Sequence, residues 1–236
     1  YENGFTEAIL DTLAEKNVQT EFPQSVISEA RKIIASTDLE TEFAKRTDLR
    51  NMPIFTIDSA STKDIDDAIS IEKTDKGYKL GVHIADVSFY VRGSSEVDKN
   101  AFDRGTSIYF GDSVIPMLPK EYSNDVCSLN ENSDRLAFSC FIWFDKAGNI
   151  TNYKFDKTVI RSRVKGVYSE INDILAGNIS DEMKAKYSQV WEEIFTAKEL
   201  YGLLRARRVA RGSMDIESDE AYIIFDEKGK AVGIKK

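Results

Sequence analysis

The stretch "TIDSASTKDIDDAIS", residues 56–70, sets Asp58, Asp64, Asp66 and Asp67 within ten residues, with Lys63 the one cation among them. Two unit charges about 4 Å apart repel by roughly 4 kcal/mol at an effective dielectric near 20. A folded loop holding several such contacts must splay the carboxylates into water, protonate some of them, or bind a cation. "IFTI" reads as a short strand that delivers Asp58 at its end, and "DAISIEK" as the next strand, with Asp64, Asp66 and Asp67 at its start. In extended chain Asp64 and Asp66 point one way and Asp67 the other. A loop that folds back would bring the carboxylates together at two adjacent strand ends. Such an oxygen-rich site suits a hard cation, magnesium or manganese. Carboxylates that hold two metal ions are the usual device for phosphodiester hydrolysis. The run is not an EF-hand, because the central Gly and the terminal Glu are missing. On residue types alone, a metal-dependent phosphatase of small molecules is the alternative.

The elements that must position these aspartates read as α+β, a mostly antiparallel sheet with flanking helices. Residues 1–50 form a helical segment, with "FTEAILDTLAEK" and "PQSVISEARKIIAS" at helical spacing and "TDLETEFAKRTDLRNMP" as a linker. Residues 51–236 form the second unit. "YKLGVHIADVSFYV" is a strand after a turn at "TDKG", and "SEVDKNAFDRG" a helix closed by Gly105. "TSIYF" is a strand, and "GDSVIPMLP", with two prolines, is irregular. "DRLAFSCFIWFDKAGNITNYKFDKTVIRSRV" is a hairpin turning at "KAGN". "YSEINDIL" and the stretch from Asp181 to Arg211 are helical, and "AYIIFDEKGKAVGIKK" is a last hairpin. His83 alternates with buried strand positions and reads as structural.

The chain has 236 residues, a formal net charge of −8 and a pI of about 4.9. That balance argues against gripping nucleic acid by global charge. Charge is uneven, however: residues 151–211 carry 12 Lys/Arg against 8 Asp/Glu. Within them "RARRVAR" holds Arg205, Arg207, Arg208 and Arg211, either the basic end of a helix or a phosphate-facing patch. Two cysteines, Cys127 and Cys140, fit no disulfide framework and point to a reducing, cytoplasmic setting. No apolar run is long enough to span a membrane. The chain begins at Tyr1 and reads as a piece of something longer.

The blocks "TIDSASTKDIDDAISI", "GVHIADVSFYV", "DRGTSIYF", "VIPMLPKEYSNDVCSLN" and "RGSMDI" closely resemble, in order and spacing, the catalytic domain of the ribonuclease II/ribonuclease R family. The resemblance implies a hydrolytic, processive, magnesium-dependent 3′→5′ exoribonuclease that degrades single-stranded RNA to nucleoside 5′-monophosphates. The family's four-aspartate motif falls on Asp58, Asp64, Asp66 and Asp67, which it assigns to the metal-bound active site, with Asp66 the residue whose loss stops cleavage. It places a base-stacking tyrosine at Tyr109. The opposing aromatic falls in "RGSMDIESD", where this chain has Met214 and Ile216. The family's catalytic arginine and its RNA-binding domains find no counterpart here. The resemblance therefore implies the N-terminal portion of the catalytic domain, inactive alone and prone to self-association. A noncatalytic RNA-binding member of the family is the alternative within it.

Overall fold

The computed structural model describes residues 7–110, 113–214, 222–226 and 231–235. In chain order the elements are α1 (Glu7–Glu15), α2 (Gln24–Ser36), α3 (Leu39–Phe43), β1 (Thr47–Asp48), β2 (Ile54–Asp58), β3 (Asp67–Thr74) and β4 (Gly77–Ala85). There follow α4 (Val87–Tyr90), α5 (Glu96–Arg104), β5 (Ile108–Phe110), β6 (Ser113–Ile115), β7 (Asp134–Asp145) and β8 (Ile150–Val167). The chain closes with α6 (Tyr168–Ala176), α7 (Asp181–Lys186), α8 (Trp191–Ala210), β9 (Tyr222–Phe225) and β10 (Ala231–Lys235).

These elements fall into two compact units. One unit runs from Arg31 to Tyr90 and from Lys120 to Ser213; the other takes the chain up to Ala30, Val91–Pro119 and the C-terminal strands. The expected linker is structured. Asp38 caps α3 by accepting from the Thr41 amide at 3.1 Å, and β1 pairs in parallel with β8. The expected irregular "GDSVIPMLP" contributes β6, which pairs antiparallel with β5. The long C-terminal helix is broken, because a 3₁₀ turn at Ser188–Val190 separates α7 from α8.

The main sheet closes on itself. Pairings run β8–β2–β3–β4–β7 and back to β8. All are antiparallel except β2 with β8. The closure depends on the length of β8. Its first part pairs with β7, from Asn152 opposite Trp143 to Arg161 opposite Asp134. Its last part pairs with β2, up to Val167 opposite Asp58. Gly166 is needed at that seam, since a Cβ there would sit 2.4 Å from the Thr56 carbonyl oxygen.

Alternation gives this small barrel two different faces. Outward residues pack under α6 and α8 in two apolar clusters, one around Phe55, Val164, Ile174 and Ile194, the other around Ile71, Tyr78, Phe144 and Leu200. The inward face holds four polar residues that are satisfied by one another. Ser70, His83, Ser139 and Thr158, from four different strands, are all essentially buried. Hydrogen bonds join them in a line: Ser70 Oγ to His83 Nε2 at 3.0 Å, His83 Nδ1 to Ser139 Oγ at 2.7 Å, and Ser139 Oγ to Thr158 Oγ1 at 2.7 Å. A Cβ at Gly81 would stand 2.4 Å from Ser70 Oγ and 2.8 Å from His83 Nε2, so glycine leaves room for the line. His83 is therefore structural, as its strand position implies.

In the other unit α5 is bounded as its sequence reads. Ser95 caps its start by accepting from the Asp98 amide, and Gly105 ends it at φ 72°. Arg104 then ties α5 to the N-terminal segment. Its guanidinium donates to the Gln19 and Glu21 carbonyls at 2.8 and 2.6 Å and lies over the Phe22 ring.

Burial pushes the His83 imidazole down to about 4 from an ordinary 6.5. The unfolded chain takes up this proton near 6.5 and the folded chain only near 4. Stability is thus full above the higher value and falls as pH drops toward the lower, by a total on the order of 3 kcal/mol. Since His83 is the only histidine, urea unfolding at pH 7 and pH 5 should show roughly half of this loss in the unmodified protein. His83→Gln should be less stable at pH 7 yet lose less between the two pH values.

Candidate active site

Asp58 ends β2, and Asp67 opens β3. Between them the chain makes a tight excursion that is anchored at several points. Ile65, between Asp64 and Asp66, is buried. The Asp66 carbonyl accepts from the Ala85 amide at 2.9 Å, and Asp67 lies opposite Ile84. By alternation Asp66 shares the inward face with Ala68 and Ser70, while Asp67 shares the outward face with Ile69. Asp58 follows the buried, inward Thr56 by two residues. The aspartates thus stand around one mouth of the barrel.

Their charges are mutually felt. Desolvation by burial raises the Asp66 carboxyl above its ordinary value, and the negative charges of Asp64, Asp67 and Asp58 raise it further. Asp58 is raised as well, first by desolvation, with Asp67 and Asp64 adding to it. The Thr56 hydroxyl and the Lys165 ammonium pull Asp58 the other way. One Asp58 oxygen, Oδ2, is buried without a hydrogen-bond partner. A buried carboxylate oxygen without a hydrogen-bond partner, within the field of Asp64 and Asp67, is costly for a protein alone, and its donor chemistry fits a hard cation. Among the described residues no three or more His, Cys, Asp or Glu side chains are grouped as they would have to be to hold a metal ion. The four aspartates are assembled as neighbours, not as a finished coordination shell.

Several supporting groups were not legible as such in the sequence. The Ser128 hydroxyl donates to the Lys63 carbonyl at 2.7 Å and accepts from the Ile65 amide at 3.1 Å. Lys165 Nζ donates to the carbonyls of Ala60 and Thr62 at 3.1 and 2.5 Å. The Val167 amide, opposite Asp58, donates to Tyr187 Oη at 3.0 Å, and Tyr187 Oη donates to Glu170. Arg46 and Asp86 form a buried ion pair at 2.7 Å. Cys127 lies near Asp66, and burial pushes its thiol up to about 12, with Asp66 and Asp86 adding to the rise. A thiol held neutral in this way is a wall of the site and not a nucleophile. Cys127 and Ser128 fall in the family-like block "VIPMLPKEYSNDVCSLN", but nothing in residue type or spacing marks Lys165 or Tyr187.

The expected RNA-binding residues lie on other elements. Tyr109 stands on β5 in the other compact unit, its side chain 62% exposed and its backbone paired with Val114. Arg205, Arg207 and Arg208 lie in the last turns of α8 and Arg211 just beyond it, all exposed. At about 100° per residue Arg205, Arg207 and Arg208 fall within roughly 160° of the axis, on one broad side of the helix end. Arg207 is engaged by Asn149 of the β7–β8 turn, so part of the run serves as a basic helix end. Met214 is exposed, and Ile216 lies outside the described residues. No described helix is long and apolar enough to cross a membrane.

With this geometry in hand, comparison with known proteins is specific. Residues 46–236 match the RNB domain, and the chain belongs to the RNB domain family. Ribonuclease R of Thermotoga maritima is 46% identical over 216 residues, which are 91% of this chain and 30% of that protein. The structure of Mycoplasma genitalium RNase R in complex with ribose-methylated single-stranded RNA superposes with a TM-score of 0.89 at 31% identity, over 97% of this chain and 35% of that one. The chain therefore spans about a third of the length of these relatives. A yeast pseudonuclease shares the fold at a TM-score of 0.59 and 18% identity, over 72% of this chain and 20% of that one.

Because Asp58 carries a raised, desolvated carboxyl beside like charges, removing its charge should help the protein when no divalent cation is present. Asp58→Asn is expected to raise the Tm slightly in chelator, by roughly 1 kcal/mol or less once solvent screening is allowed for. Differential scanning calorimetry in chelator checks this; a clear fall in Tm would mean that the carboxylate is satisfied within the protein.

Proposed function

We propose that this chain carries the carboxylate side of the active site of an exoribonuclease that degrades single-stranded RNA from its 3′ end. The reaction is a processive hydrolysis releasing nucleoside 5′-monophosphates, with magnesium, or manganese in its place, as cofactor. The observation that supports this reading is that Asp58 and Asp66 are raised above the ordinary carboxylate range by desolvation and by the charges of the neighbouring aspartates, so the carboxylates interact at the end of β2 and the start of β3. The RNA complex of the Mycoplasma genitalium relative supports RNA as the polymer.

In this reading each residue has a physical task. Asp58, Asp64, Asp66 and Asp67 bind and orient the cation, and a cation among them would restore the ionised forms that crowding disfavours. Magnesium held there would supply positive charge where water ionises and where charge builds on the phosphate. Tyr109 would hold the terminal base by stacking, worth about 1–3 kcal/mol and indifferent to base identity. The Arg205–Arg211 run would contribute phosphate contacts that weaken as salt rises.

A noncatalytic reading is kept because a pseudonuclease shares the fold, and fold alone does not carry chemistry. The intact aspartate quartet favours catalysis. The direct test transplants these 236 residues into ribonuclease R of Thermotoga maritima in place of the matching segment. The chimaera should release nucleoside monophosphates from 3′-labelled single-stranded RNA in magnesium. Asp66→Asn in it should reduce the rate by several orders of magnitude while changing RNA affinity little, since binding rests on many phosphate and stacking contacts. A folded chimaera that binds RNA without cutting it would support the noncatalytic reading. Release of free phosphate from small esters would point to a phosphatase.

A further inference from the structure

We infer that Ser128 and Lys165 are positioning residues, which hold the backbone on the two sides of the aspartate loop so that its carboxylates meet at one point. The inference rests on the reading of those aspartates as a cation site and assigns the work of assembling them.

The geometry is specific. The Ser128 side chain is completely buried, and its single hydroxyl grips the chain immediately before and immediately after Asp64. It donates to the carbonyl of Lys63 at 2.7 Å and accepts from the amide of Ile65 at 3.1 Å. One group thus restrains the backbone on both sides of an aspartate whose direction decides whether it faces Asp66. The segment that carries Ser128 is itself fixed. Leu129 donates its amide to the Ile65 carbonyl at 2.9 Å, and Arg135 Nε donates to the Ser128 carbonyl at 2.9 Å. On the far side of the loop Lys165, on β8, reaches the carbonyls of Ala60 and Thr62. β8 is in register beside β2, with Lys165 opposite Thr56 and Val167 opposite Asp58. Lys165 therefore references the loop to the strand that carries Asp58, and Ser128 references it to the "VCSLN" segment.

Like charges on a free loop would separate. At an effective dielectric near 20, two charges about 4 Å apart gain roughly 4 kcal/mol by moving far away, and a surface loop has few other restraints. The hydrogen bonds of Ser128 and Lys165 oppose that spreading through backbone groups and do not themselves occupy a carboxylate oxygen. A carboxylate tied down by its own salt bridge would not be available.

The two residues make different predictions from ordinary electrostatics. Lys165 carries a positive charge close to Asp58. If charge were its only effect, Lys165→Met would tighten the binding of a cation. If it positions the loop, the same change weakens binding. The experiment measures Mn²⁺ affinity by electron paramagnetic resonance in the unmodified protein, Ser128→Ala, Lys165→Met and Lys165→Arg. It also follows amide hydrogen exchange at Ile65 and the Tm. Expected results are about tenfold weaker Mn²⁺ binding in Ser128→Ala and Lys165→Met, recovery toward the unmodified affinity in Lys165→Arg, and at least about tenfold faster exchange at Ile65 in Ser128→Ala. Mn²⁺ affinity in the two variants equal to that of the unmodified protein, or tighter binding in Lys165→Met, overturns the positioning role while leaving the cation site standing. An unmodified protein that does not bind Mn²⁺ overturns both. If Ser128→Ala fails to fold, the two Lys165 variants, at a half-exposed site, decide the matter.

Discussion

The constraint on which the rest of this structure depends is electrostatic repulsion at the mouth of the barrel. Asp58, Asp64, Asp66 and Asp67 are near enough that each of the two desolvated members feels the others. A chain left to itself would spread them, and a protein selected only for stability would replace them. The architecture does neither. It ends one strand at Asp58, begins the next at Asp67, buries Ile65 between the other two, and leaves an Asp58 oxygen buried without a partner. The site is a local violation of good packing rules, and such violations concentrate where function is located.

The barrel supplies the rigidity that this arrangement needs. Parallel pairing of β2 with β8 sets Asp58 beside Val167, and the Tyr187–Glu170 contact holds the Val167 amide. Inside, the line of Ser70, His83, Ser139 and Thr158 ties β3, β4, β7 and β8 together with hydrogen bonds instead of apolar bulk. A small closed sheet has little room for large inward side chains, and mutually satisfied polar groups fill it at low cost. The price is acid sensitivity, since burial denies a protonated imidazole there its solvation. The same fold occurs in a pseudonuclease at 18% identity, so the barrel is a platform and the carboxylates are what make it a candidate enzyme.

Much of the site was legible in sequence because its signal is local. Four aspartates at fixed spacing between two strand patterns needed no tertiary information, and neither did the β7–β8 turn at "KAGN" or the Gly105 stop of α5. What was not legible depends on contacts distant along the chain. "TDLETEFAKRTDLRNMP" looked like a linker because it is polar, yet Asp38 caps a helix within it and Thr47 finds Thr158 across more than a hundred residues. Barrel closure could not be read from β8, since a long strand that changes partners midway has the same alternation throughout. Ser128 and Lys165 act on backbone carbonyls and amides, which leave no pattern of residue types.

The central claim is that the four aspartates form one cation-binding unit, and the most direct measurement is crystallographic. Crystals of this protein equilibrated with Mn²⁺ and measured at the manganese absorption edge should show an anomalous peak at the barrel mouth, ligated by carboxylate oxygens that include the buried Oδ2 of Asp58 together with Asp66. At saturating Mn²⁺, a peak elsewhere, or a mouth without one while the carboxylates point to separate faces, would contradict the account.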